Sequence, residues 1–191
     1  MCNKKNLLLA TLAFFGVALL VITQTAGTPG NQQANKLEGA WASTMPGSPV
    51  LASFVLAPAD PSGRRAAMSG KVAVGISVAA YFPDVEPSSL FVGEAVVTGP
   101  DTTSYTIIGY MTKKVVPTPT SPFDSVLLGM WVDSGQFTNT APGKAEGVHH
   151  IAYYRPEADT NGDGIPEGAP LFCVEGPGVN TRVTLMTPCK P

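Results

Sequence analysis

The chain has 191 residues, 12 Lys and Arg against 14 Asp and Glu, a formal net charge of −2, and a composition that is 44% hydrophobic. That balance argues against a nucleic-acid surface, which needs a basic patch, and the length suits one domain with a sizeable core. No repeat at a fixed period is visible.

Residues 1–26 read as a secretory signal peptide: Lys4 and Lys5 precede the uncharged run Leu7 to Ile22, and small and polar residues follow. Cleavage is expected near Ala26 or Gly27, leaving no stable membrane span. The alternative is an uncleaved N-terminal anchor, since the run nearly reaches the roughly 20 residues that span a bilayer. Cys2 precedes the apolar run, so no lipid-attachment cysteine stands at the cleavage point. The expected location is secreted, periplasmic or in the cell envelope. Residues 27–36, GTPGNQQANK, read as a polar linker.

From Leu37 the pattern is that of strands, and residues 37–191 are read as one β domain. Short candidates lie at Ala40 to Thr44 and Leu51 to Leu56. Lys71 to Phe82 is the plainest, with Val72, Val74, Ile76, Val78, Ala80 and Phe82 at a period of two. Further runs are Leu90 to Thr98, Thr103 to Thr112, Val126 to Val132, Val148 to Tyr154 and Thr181 to Thr187. Turn signals separate them at Thr98 to Asp101, Pro117 to Pro122 and Ala141 to Gly143. With 18 prolines, 20 glycines and no sustained helical periodicity, the domain is all-β, a barrel or a sandwich.

Catalytic patterns are sparse. His149 and His150 are adjacent in a strand and point to opposite faces. His150 shares a face with Glu146, but at that spacing the two lie about 13 Å apart. Gly75-Ile76-Ser77-Val78-Ala79 lacks the second glycine and the helix of a nucleophile elbow. Tyr105, Tyr110, Trp131, Tyr153 and Tyr154 are candidates to line a cavity, each with an apolar body and a polar handle, and core packing explains them equally well.

Asp159 to Glu167, DTNGDGIPE, has the spacing of a calcium loop. Asp159, Asn161, Asp163, the Ile165 carbonyl and Glu167 fall at ligand positions 1, 3, 5, 7 and 9, with Gly164 at 6; Pro170 stands where the closing glutamate belongs. The segment resembles the helix-free calcium loops of thrombospondin type 3 repeats and dockerins, which implies a weak structural calcium site. A metal-free polar turn is the other reading. Export leaves Cys173 and Cys189, expected to form one disulfide.

Gly39 and Trp41 form a Gly-x-Trp at the entrance of the first strand, and Arg182 lies near the end of the chain. This resembles the calycin group, the lipocalin-like barrels, in which a first-strand tryptophan closes one barrel end and a late arginine packs over it. The resemblance implies that Trp41 and Arg182 meet, and that the fold is a single antiparallel barrel of about eight strands, with a β-sandwich as the alternative. The functional expectation is a non-enzymatic barrel for a small, partly apolar ligand. Its rivals are a structural or adhesive envelope module held by calcium and a disulfide, and an envelope enzyme using Glu146, His150 or Tyr154.

Overall fold

The computed structural model describes residues 38–45, 51–74 and 76–184. The signal peptide, the linker and Cys189 lie outside the described residues. Eight antiparallel strands close into a barrel: β1 (Gly39–Thr44), β2 (Leu51–Pro58), β3 (Arg65–Ala73), β4 (Ser88–Val97), β5 (Thr102–Lys114), β6 (Ser125–Ala141), β7 (Lys144–Tyr154) and β8 (Phe172–Arg182). Each strand pairs with its sequence neighbours, and β1 meets β8 with Trp41 opposite Arg182. Among the described residues no helix is long and apolar enough to cross a membrane.

The inner wall carries large aromatic residues interrupted by glycines at two positions. One row of cross-strand partners runs Trp41, Phe54, Gly70, Phe91, Gly109, Trp131, Tyr153, Phe172. An eight-stranded interior has room only for interlocking side chains, so not every position of the row can carry a ring. Glycine solves this at two points. A Cβ on Gly109 would stand 2.2 Å from the Trp131 ring, and one on Gly70 would stand 2.7 Å from both the Phe54 Cβ and the Phe91 ring. Phe91 and Trp131 meet edge to face across Gly109, with centroids 5.7 Å apart, a favoured aromatic geometry.

The turn signals fall between strands as expected, with Gly143 at φ 73 in the β6–β7 turn. Two strand assignments are corrected. Lys71 to Phe82 is not one strand: β3 ends at Ala73, and Ile76–Ala79 form a single helical turn, α1. Alternation of period two also places apolar residues four apart, so Val74, Val78 and Phe82 satisfy both periodicities. The Phe82 amide donates to the Val78 carbonyl at 3.0 Å. Val78 and Phe82 are both buried, and Phe82 lies over Gly129, so this connection plugs one end of the barrel.

The last strand is Phe172–Arg182, not Thr181 to Thr187, whose final residues lie outside the described set. Gly176-Pro177-Gly178 reads as a turn, yet it sits within β8. There β8 pairs with β7 alone, since β1 joins only from Val179 onward. A proline removes a ladder donor, and an edge tolerates that loss.

Candidate functional site in the barrel interior

At the end bearing the β4–β5 and β6–β7 turns, the core leaves a pocket. Its empty space is about 440 Å³, open solvent at the mouth included. Trp41, Phe54, Leu56, Met68, Ala95, Tyr105, Phe137 and Ala145 supply its mainly apolar wall, and Thr103, Asn139 and Asn180 its polar side chains. All the apolar ones are buried. An apolar concavity with a few placed polar groups is the usual form of a small-molecule site.

Beneath the pocket lies a buried polar cluster. Tyr105 and His149 are both cross-strand partners of Gly135, and Asp133 stands two residues along β6 on the same inner face. With no side chain between them at Gly135, the three polar ends converge. The Tyr105 hydroxyl donates to Asp133 Oδ1 at 2.9 Å and lies 2.7 Å from His149 Nδ1, while His149 Nδ1 is 2.6 Å from Asp133 Oδ2. Burial first, and the neighbouring Asp133 carboxyl second, push the Tyr105 phenol far above the ordinary tyrosine range. The same two causes in the same order push Tyr153 up to about 12.

His149 Nε2 is buried without a hydrogen-bond partner and packs against Gly178, where a Cβ would approach to 2.3 Å. The cluster thus turns its polar atoms toward one another, and Tyr105 gives the pocket the ring that also stacks on Phe137, centroids 5.1 Å apart. Sequence reasoning placed Tyr105 among the cavity candidates and His149 on the face opposite His150, but it missed Asp133. The signal that could have found it is an acidic residue in an apolar strand at the alternation of Trp131 and Phe137.

The other candidate aromatics do not line this pocket. Trp131 is interior but beyond it, its Nε1 donating to Ser89 Oγ at 3.1 Å. Tyr110 lies on the outer wall, and Tyr153 stacks on Phe172 with centroids 4.5 Å apart. His150 and Glu146 are not brought together: His150 Nδ1 is 3.1 Å from Glu175 on β8, and Glu146 is 2.5 Å from Lys144 Nζ. Ser77 falls in α1, and Gly75 lies outside the described residues.

Arg182 reaches back over the chain entrance and its Nη2 donates to the Glu38 carbonyl at 2.5 Å. Gly39, at φ 124, makes space for it: a Cβ there would stand 3.1 Å from the guanidinium. Cys173 is a free thiol exposed on the outer face of β8 beside Ala152, and Cys189, its expected partner, lies outside the described residues.

The loop Asp159 to Glu167 follows a short 3-10 turn, Pro156–Ala158, and lies against the outer wall. Met130 points outward, alternating with Trp131, yet is fully buried. The 3-10 turn packs on β6, and the Tyr110 hydroxyl donates to the Gly164 carbonyl at 3.1 Å. Asp159 accepts from the amides of Gly162, Asp163 and Gly164; Asn161 Nδ2 donates to Asp163 and Glu167; Ile165 donates its amide to Asp163. Oxygens of Asp159, Asp163 and Glu167 lie within 4.8 Å of one another, a set that can hold a cation.

No protein-family model and no curated protein matches the chain. It is similar to three engineered barrels of known structure. One is EF1p2_mFAP2b bound to DFHBI, with 21% identity and a TM-score of 0.49 over 78% of this chain and 96% of that one. The second is the redesigned β-barrel mFAP1 bound to DFHBI, with 14% identity and a TM-score of 0.44 over 78% and 97%. The third is the redesigned barrel b11L5F_LGL, with 14% identity and a TM-score of 0.46 over 80% and 95%.

Proposed function

We propose that this chain is an exported, non-enzymatic barrel of lipocalin-like character that holds a small, partly apolar ligand. The observation that carries the reading is the pocket at the Trp41 end. There an otherwise well-filled barrel leaves open space against Trp41, Phe54, Leu56, Met68 and Phe137. A purely structural barrel gains stability by filling such space, because lost contacts around a void are costly. The Tyr105–Asp133–His149 cluster acts as a rigid floor. The Tyr105 hydroxyl, the Asp133 carboxylate and His149 Nδ1 bond to one another and tie β5, β6 and β7 together under the pocket.

Trp41 and Arg182 belong to this reading as the end of the barrel that frames the pocket. The Asp159–Glu167 loop, with weakly bound calcium, is an outer brace held to β5 by the Tyr110 hydroxyl. Native mass spectrometry of the protein purified from its own host tests the proposal. A constant added mass of a small organic molecule, lost when the pocket is filled by Ala95→Phe, supports it. The bare mass alone, with no small apolar compound binding afterwards, contradicts it.

A further inference from the structure

Asn180 is the pocket residue whose chemistry is unspent. It sits on β8 between Ser43 of β1 and Ala145 of β7, points inward and lines the pocket with Trp41 and Tyr105. It is only 6% exposed, and its Oδ1 has no hydrogen-bond partner among the described residues. A buried acceptor without a donor is unfavourable and rare enough in native proteins to require a reason. The Tyr105 hydroxyl does not supply one, being engaged with Asp133 and His149.

Resting on the small-ligand reading, we infer that the ligand is a small planar aromatic or conjugated molecule carrying an N–H or O–H that donates to Asn180 Oδ1. The flat walls of Trp41, Phe54 and Phe137 suit a ring system. The donor supplies orientation and selectivity. A site built around a buried acceptor rejects an analogue that lacks the donor, because the acceptor is then left unpaired on binding.

Indole and indene provide the test, being nearly the same in shape and differing in the N–H. Hydrophobic transfer alone ranks indene above indole, since an N–H without a partner is costly to bury. Calorimetric titration of the full chain should instead show indole binding about tenfold more tightly, the size of one hydrogen bond to a buried group. In Asn180→Leu, which keeps the bulk and removes the acceptor, the preference should vanish or invert while indene still binds. If wild type binds indene as tightly as indole, or more tightly, the role of Asn180 is overturned and the small-ligand reading stands. If neither compound binds the wild-type chain, both fail. The wild-type comparison decides the matter even if Asn180→Leu does not fold.

Discussion

Tyr105 and His149 reach toward each other across Gly135, their Oη and Nδ1 atoms 2.7 Å apart, and both meet the carboxyl group of Asp133. A polar cluster this deep in a barrel is costly if any member is removed, because the remaining groups stay buried without their partners. Tyr105→Phe should therefore lower stability by about 1–3 kcal/mol although it deletes one atom from an otherwise apolar ring. Urea denaturation at neutral pH measures it. A loss within experimental error of zero would mean that the cluster is not connected as described.

The same burial makes a prediction about alkaline pH. Tyr153 is pushed up to about 12, and Tyr105 moves in the same direction, against an ordinary value near 10 in the unfolded chain. Between pH 10 and 12 the folded state therefore holds more protons than the unfolded one. Stability contributed by these phenols is full below pH 10 and is lost as the pH rises through the folded values. Absorbance at 295 nm should show the native chain at pH 11 with fewer ionised tyrosines than the urea-unfolded chain, the deficit disappearing on unfolding. Equal absorbance in the two states would contradict the burial.

Trp41 and Arg182 are direct cross-strand partners at the junction that closes the barrel. Trp41→Ala removes a buried indole and should cost about 3–5 kcal/mol. Arg182→Ala loses the charged donor to the Glu38 carbonyl and should cost less, about 1–2 kcal/mol. Thermal melts of the two variants test the ranking, and an Arg182→Ala effect exceeding that of Trp41→Ala would reverse it.

How far the sequence disclosed this structure depends on which residues carried a pattern. Strands β4, β5 and β7 were legible because β-branched and aromatic residues concentrate there between turn signals. Most of β3 was not, since Arg65 to Gly70 lacks β-branched and aromatic residues, and its Gly70 makes room for Phe54 and Phe91. The Val78–Phe82 plug reads as strand because a spacing of four residues satisfies both periods. The pocket was partly legible. Trp41 and Tyr105 drew attention by type, whereas Asn180 and Asp133 matter through register, which links residues far apart in the chain and has no local signature.

The Asp159–Glu167 loop carries its own expectation. Its three carboxylates already bind backbone amides and side chains within the loop, and a proline occupies the closing ligand position. Calcium should therefore bind weakly, with a Kd of about 0.1–1 mM. At tenfold excess over that constant the melting transition should rise by the equivalent of about 1.4 kcal/mol. Asp163→Ala should abolish the rise. If 5 mM calcium shifts neither the melting transition nor the amide signals of residues 159–167, the segment is a metal-free turn.

The most direct test of the pocket follows the methyl signals of Leu56 and Met68 during titration with indole. Both residues line the space and lie inside the wall, so an occupant must perturb them, and aromatic ring currents make the perturbation large. The account predicts saturable shifts of these two methyls in the wild-type chain and their loss in Ala95→Phe, where a ring attached to the wall fills the same space. Unmoved Leu56 and Met68 signals at millimolar indole, or shifts that persist unchanged in Ala95→Phe, would contradict a ligand site at the Trp41 end of the barrel.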